Sequence, residues 1–176
     1  DTFGVGERLI TAKSAPVFGG VYKLAAVEDE QGNIIPKIKI SENTTKITNP
    51  HYKKLYRFYD NESGKALADE LCVYDETIDG TKPHTIFDPD AIWKTKTLTD
   101  YSVKELHVTV FKNGELVYKQ PSLFEIKRYC AEQTETLWDE VKRFENPPTY
   151  YVDLSKKLWD IKNALLEKSK DGKDLK

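Results

Sequence analysis

Two glycines one residue apart, Gly4 and Gly6, stand in the run Asp1-Thr2-Phe3-Gly4-Val5-Gly6-Glu7-Arg8-Leu9-Ile10-Thr11. An apolar strand end leads into them and a helix-compatible stretch follows. Without Cβ atoms at these positions, an anion can approach the backbone N–H groups closely. A helix beginning near Glu7 would add the partial positive charge of its free N–H groups. The chemistry this implies is phosphate binding through the backbone of Gly4, Val5 and Gly6. Arg8 is the adjacent cation, able to pair with phosphate or with an acidic residue. The plainer reading of the same residues is a strand-to-helix turn with no ligand.

The other groups that could do chemistry are scattered. His51, His84 and His107 have no Asp, Glu or Cys at a metal-ligand spacing and are expected to be solvated or structural. The pairs Asp75-Glu76 and Asp88-Pro89-Asp90 read as loop acids capping turns. Cys72 and Cys130 are far apart, which suits structural thiols in a reducing compartment better than a disulfide or a metal site. The run Lys53-Lys54-Leu55-Tyr56-Arg57-Phe58-Tyr59 interleaves basic and aromatic residues, yet a single such strand reads as amphipathic packing, not as a nucleic-acid surface. No residue of the chain is singled out as catalytic or as a metal ligand.

Further motifs follow the glycine pair in order. Lys13-Ser14-Ala15-Pro16-Val17-Phe18-Gly19-Gly20-Val21-Tyr22-Lys23-Leu24 comes first, then Pro36-Lys37-Ile38-Lys39-Ile40-Ser41-Glu42, then Tyr56-Arg57-Phe58-Tyr59-Asp60, then Trp138-Asp139-Glu140-Val141-Lys142-Arg143-Phe144. This ordered set resembles the C-terminal part of nicotinate phosphoribosyltransferases, and the resemblance covers nearly the whole chain. One departure is Glu7, where much of the family carries Thr beside the second glycine. A hydroxyl donates to a phosphate and a carboxylate repels it, so the backbone part of the cradle survives but a side-chain contact there does not follow.

The resemblance implies an enzyme that joins nicotinate to 5-phosphoribosyl diphosphate, coupled to ATP hydrolysis, in NAD biosynthesis. It implies Mg2+ and ATP in the complete enzyme, with neither bound by this chain alone. It places the phosphorylated histidine and the base-binding residues upstream of this chain. The ribose 5-phosphate would sit on Gly4, Val5 and Gly6. The expected partners are the N-terminal and barrel parts of the same polypeptide, the two substrates, and a second copy in a homodimer. The cytoplasm is the expected location, and the piece is expected to be inactive alone. The competing expectation is an autonomous β-rich interaction or oligomerisation module without catalysis.

Composition bounds these readings. The chain has 176 residues, 39% apolar and 32% charged, enough for one domain with a sizeable core. A net charge of −2 gives no bulk attraction to nucleic acid or to an anionic membrane. No apolar run approaches a membrane span, and no signal peptide is visible at the start. The absence of methionine leads to the expectation that the chain is a piece of a longer polypeptide.

The elements that must position these residues are hairpins and helices. Val21–Glu28 and Ile34–Ile40 read as strands about a turn at Gln31-Gly32-Asn33. Lys53–Tyr59 and Lys65–Asp75 read as strands about Asp60–Gly64. A short strand is expected at Thr85-Ile86-Phe87 within an otherwise loop-rich stretch. Glu105–Lys112 and Glu115–Tyr118 flank Asn113-Gly114, a pair suited to positive φ. Ser122 and Glu125 form a capping box for a helix reaching about Phe144, stopped by Asn146-Pro147-Pro148. A second helix is expected from Asp153 or Leu154, with Leu154, Leu158, Ile161 and Leu165 on one face.

The expected fold class is α+β: antiparallel β-hairpins with two C-terminal helices packed at one side, preceded by the last strand and phosphate loop of an α/β barrel. The corresponding divisions are 1–20 for the barrel end, 21–120 for the β-rich domain, 121–167 for the helices and 168–176 for a disordered tail.

Overall fold

Residues 53–73 build the centre of the molecule. In the computed structural model, which describes residues 2–11, 20–43 and 46–170, strands β3 (Lys53–Asp60) and β4 (Ala66–Val73) pair antiparallel from Lys53↔Val73 to Tyr59↔Ala66. The turn between them is closed by Gly64 N–H donating to Asp60 O at 2.8 Å, with Gly64 at φ +67°. That conformation strains any residue with a Cβ. Strand β7 (Tyr101–Glu105) adds antiparallel to the other edge of β3, and β10 (Val152–Leu154) adds parallel to β4. The sheet order is therefore β10-β4-β3-β7.

Three two-stranded ladders surround this sheet: β1 (Ala26–Glu28) with β2 (Ile34–Pro36), β5 (His84–Asp88) with β6 (Ala91–Leu98), and β8 (Phe111–Lys112) with β9 (Glu115–Leu116). The helices are α1 (Glu7–Ile10), α2 (Leu123–Glu135) and α3 (Lys156–Lys170). Among the described residues, no helix is long and apolar enough to cross a membrane.

Two apolar clusters hold the sheet. Phe58 and Ala68 pack with Ile86, Leu98 and Tyr101, which docks the β5–β6 hairpin. Val73 packs with Leu154 and Leu158, which docks α3. Phe58 and Leu158 are fully buried, and each such side chain contributes roughly 1.5–3 kcal/mol through water removal.

The α+β class holds, with differences in detail. The first hairpin is shorter than expected: only Ala26–Glu28 and Ile34–Pro36 pair, and Val21, Tyr22 and Leu24 are exposed. Strand β6 has no counterpart among the expected elements; it pairs with β5 and buries only its two ends.

The expected strand Glu105–Lys112 is interrupted. Leu106 N–H still donates to Leu55 O, but Leu55 N–H is taken by His107 Nδ1 at 3.1 Å. A side chain thus replaces the next ladder acceptor, and pairing resumes only in the short β8–β9 hairpin. Its turn behaves as the residues dictate, with Asn113 at φ +51° and Gly114 at φ +81°.

Helix α2 begins as expected. Ser122 Oγ accepts from Glu125 N–H and Glu125 Oε2 accepts from Ser122 N–H. It ends at Glu135, well before Phe144. Lys65 Nζ donates to Glu135 O at 2.7 Å and Ala66 N–H donates to Thr136 O at 2.7 Å. The last carbonyls are thus recruited by the start of β4 instead of a further helical turn. Helix α2 buries no residue, so only α3 packs on the sheet.

Residues 153 and 154 belong to β10, not to a helix. Helix α3 starts one residue after Ser155, whose Oγ accepts from Leu158 N–H at 3.2 Å. Lys168, Ser169 and Lys170 of the charged tail are helical, and 171–176 lie outside the described residues. So do residues 12–19 of the run that begins at Lys13.

Candidate functional site

The glycine pair lies on an open segment. Gly6 precedes the four-residue helix α1 at φ −80° and ψ 163°, and supplies no side-chain cap. Neither Gly4 nor Gly6 has positive φ, and a Cβ built on either meets nothing within 4 Å. Backbone conformation does not demand glycine here, and neither does packing among the described residues. Val5 and Arg8 are exposed beside them. The four predicted residues are therefore together and accessible.

A second constellation lies in the sheet. Strand β4 has neighbours on both edges and is buried along nearly its whole length. Successive side chains point to opposite faces, so Asp69 and Glu70 are each buried, on different sides. Buried charges persist only when paired. Asp69 sits directly across from Arg57 in the register and takes a bidentate pair, 2.7 Å from Nε and 2.8 Å from Nη2. Tyr150 donates its hydroxyl to Asp69 at 2.9 Å, and its ring lies 5.8 Å from the Arg57 guanidinium. Hydrogen bonding to Asp69 raises the Arg57 pKa, and burial raises that of Tyr150, with Asp69 adding to it. Arg57 stays charged and Tyr150 stays a donor, which makes this a clamp between β3, β4 and the chain entering β10.

On the other face, Glu70 Oε2 lies 2.7 Å from His84 Nε2, a contact that requires a proton between them. The His84 ring stacks on Phe58 with centroids 5.1 Å apart. Glu76 accepts from Val73 N–H at 2.6 Å and from the Ser155 hydroxyl at 2.7 Å, which ties the end of β4 to the start of α3. Cys72 lies in the same region. Burial first, and Glu70 next, push its pKa up, so the thiol is protonated and is no nucleophile. A cleft of about 240 Å³ bounded by Glu70, Cys72, Glu76 and His84 lies here. Its polar groups already satisfy one another.

Asp153 differs from these. It is 4% exposed, and its pKa is raised to about 6 by burial, then by Glu70 and Asp88. Among the described residues, no group of three or more His, Cys, Asp or Glu is placed to hold a metal ion.

The histidines behave as structural groups. His84 does have an acidic partner, but it lies fourteen positions away on another strand, beyond the reach of spacing rules. Asp88 accepts from Asp90 N–H at 2.9 Å, as a turn cap. Reading Lys65–Asp75 as a strand does not single out Asp69 and Glu70, because in sequence nothing marks them as buried on both faces. The usable signal is Arg57, flanked by Tyr56 and Phe58 at the centre of β3, where a buried cation needs an acid from the neighbouring strand. Cys72 is buried, whereas Cys130 is exposed on α2.

Comparison with known proteins agrees with this geometry in extent. The family profile described as nicotinate phosphoribosyltransferase C-terminal domain matches residues 52–162, which hold the four-stranded sheet, all of α2 and the start of α3. A nicotinate phosphoribosyltransferase of Bacillus subtilis is 38% identical over 92% of this chain and 33% of its own length. One from Dictyostelium discoideum is 33% identical over 100% of this chain and 30% of its own. The crystal structure of human nicotinic acid phosphoribosyltransferase superposes with a TM-score of 0.62 at 25% identity, covering 68% of this chain and 24% of that one. The chain spans about a third of the length of the curated relatives it matches. With the profile matching more than half of its residues, the chain belongs to the nicotinate phosphoribosyltransferase family and carries its C-terminal domain.

Proposed function

We propose that this chain is the C-terminal part of an enzyme that makes nicotinate mononucleotide and diphosphate from nicotinate and 5-phosphoribosyl diphosphate, coupled to ATP hydrolysis. The observation that carries the reading is the match along 92% of the chain to a protein of that name. In this reading Gly4, Val5 and Gly6 hold the ribose 5-phosphate through backbone N–H groups. Arg8 adds a cation beside it. Their exposure and the room around both glycines support a ligand that arrives from outside the described residues. Held N–H donors fix the phosphate and so orient the sugar for displacement of diphosphate, without reorganising during the reaction.

Mg2+ would screen the diphosphate charge and ATP would drive the coupled step; neither is assigned to residues of this chain. The base-binding residues and the phosphorylated histidine lie elsewhere on the polypeptide. The complete enzyme works as a homodimer in the cytoplasm, and this chain alone has no activity. The test is formation of nicotinate mononucleotide by the complete polypeptide, with and without ATP, beside this chain alone. ATP-stimulated product from the complete polypeptide and none from the chain alone is the expected result. No product from the complete polypeptide would overturn the reading.

A further inference from the structure

Asp153 is the one carboxylate of the sheet that the described residues bury without partnering. It lies in β10, 4% exposed, and at the floor of a cleft of about 280 Å³ between β10 and the β5–β6 hairpin. Among the described residues it makes no hydrogen bond and no ion pair. The other acids of the region are all engaged: Asp69 by Arg57 and Tyr150, Glu70 by His84, Glu76 by Val73 N–H and Ser155.

Neither cation lining the cleft is within ion-pair distance of Asp153. Lys94 Nζ is 3.6 Å from Asp88. Lys96 lines the cleft and adds a weak attraction to Asp60, a carboxyl held low mainly by hydrogen bonds from Ser63. The charges that act on Asp153 are negative, Glu70 from β4 and Asp88 from β5, while Lys94 and Lys96 line the cleft without pairing with it. A carboxylate in that position calls for a positive charge with several donors.

The walls fit the same demand. Ile86, Phe87 and Tyr151 supply apolar surface for the methylene stem of a long basic side chain, whose head would reach Asp153. Tyr151 is 60% exposed, and Ile92 and Trp93, at 50% and 77%, precede Lys94 on the strand that forms one wall. Exposed aromatic and aliphatic residues around a buried charge are the anatomy of a polypeptide interface, not of a site for a free ion.

We infer that this cleft receives a lysine or arginine side chain from the part of the polypeptide outside this chain, with Asp153 as its counter-ion. The inference rests on the reading above, in which this chain is about a third of a longer enzyme. Asp153 is then a docking residue that fixes the sheet to the remainder of the enzyme, without touching substrate.

The test compares thermal unfolding of the complete enzyme with its Asp153→Asn variant at pH 8 and pH 5. An inserted cation keeps the carboxylate ionised and favourable, so Asp153→Asn lowers the unfolding midpoint at pH 8, by about 3–6 °C. An unpartnered carboxylate, with a folded-state pKa near 6, has the opposite sign. Its stability contribution would be present below the unfolded pKa and lost as pH rises through 6. Asp153→Asn would then match or exceed the wild type at pH 8, and that result overturns the inference. Asp153→Ser provides a second neutral variant with the same expected sign at pH 8. Wild-type product formation, measured in the same preparation, reports separately on the functional reading.

Discussion

Phe58 in β3 and Phe3 before α1 are the same residue type in opposite circumstances: the first is fully buried and the second is 82% exposed. The contrast extends to their surroundings. The β10-β4-β3-β7 sheet encloses two apolar clusters and pairs Asp69, Glu70 and Glu76 internally. The segment around α1 exposes Val5 and Ile10 and leaves room on both glycines. One region is explained by its own contacts. The other leaves its apolar residues and both glycines without neighbours among the described residues. Substitutions in the first should therefore report on stability, and substitutions in the second on ligand binding.

The largest effect belongs to the sheet core. Phe58→Ala removes the ring that joins Ala68, Ile86, Leu98 and Tyr101, and should destabilise the domain by about 3–5 kcal/mol. Denaturant unfolding of the complete enzyme measures it, and a loss below about 1 kcal/mol would break the comparison. Next is the clamp. Asp69→Ala leaves Arg57, whose side chain is 20% exposed, without its bidentate partner. A buried pair broken on one side costs about 3 kcal/mol or more. The loss should also free Tyr150, which tyrosine fluorescence or amide exchange in residues 149–152 would register.

Much of this sheet was legible in the sequence because its turns carry their own instructions. Asp60–Gly64, Asn113-Gly114 and Ser122 with Glu125 each act through local backbone chemistry, and each stands where the residues put it. What failed was decided by tertiary contacts. The end of α2 depends on Lys65 and Ala66, some seventy positions away. The break after Glu105 depends on a histidine ring taking a backbone donor. Residues 152–154 pair as a strand because β4 offers them an open edge, whereas Leu154, Leu158 and Ile161 have helical spacing. Of the candidate site, the glycine pair was visible from residue type alone. Asp69, Glu70 and Asp153 were not, since burial of a charge is a property of the fold and not of its neighbours in sequence.

Smaller effects sharpen the contrast. Helix α2 buries nothing, so its capping box should matter locally: Ser122→Ala should lose about 1 kcal/mol in amide-exchange protection of Leu123–Glu135 while leaving the sheet unaffected. The smallest is a pH effect at Asp79. Hydrogen bonds from the Thr81 hydroxyl, then Lys82 and Thr81 N–H, hold its carboxyl at about 2, below the ordinary 3.8. A lowered folded-state value stabilises above the unfolded pKa and is lost as pH falls through about 2. Asp79→Asn should therefore flatten the acid limb of the stability curve between about pH 4 and pH 2, measurable by acid titration of ellipticity.

The most direct test of the contrast places a side chain on the glycine pair of the complete enzyme. Gly4→Val and Gly6→Val meet no neighbour among the described residues, so the unfolding midpoint should not move. The added Cβ and methyls would block an anion from the N–H groups, so the KM for 5-phosphoribosyl diphosphate should rise at least tenfold, a loss of about 1.4 kcal/mol in binding. Unchanged kinetics with both variants would contradict the assignment of Gly4, Val5 and Gly6 to phosphate.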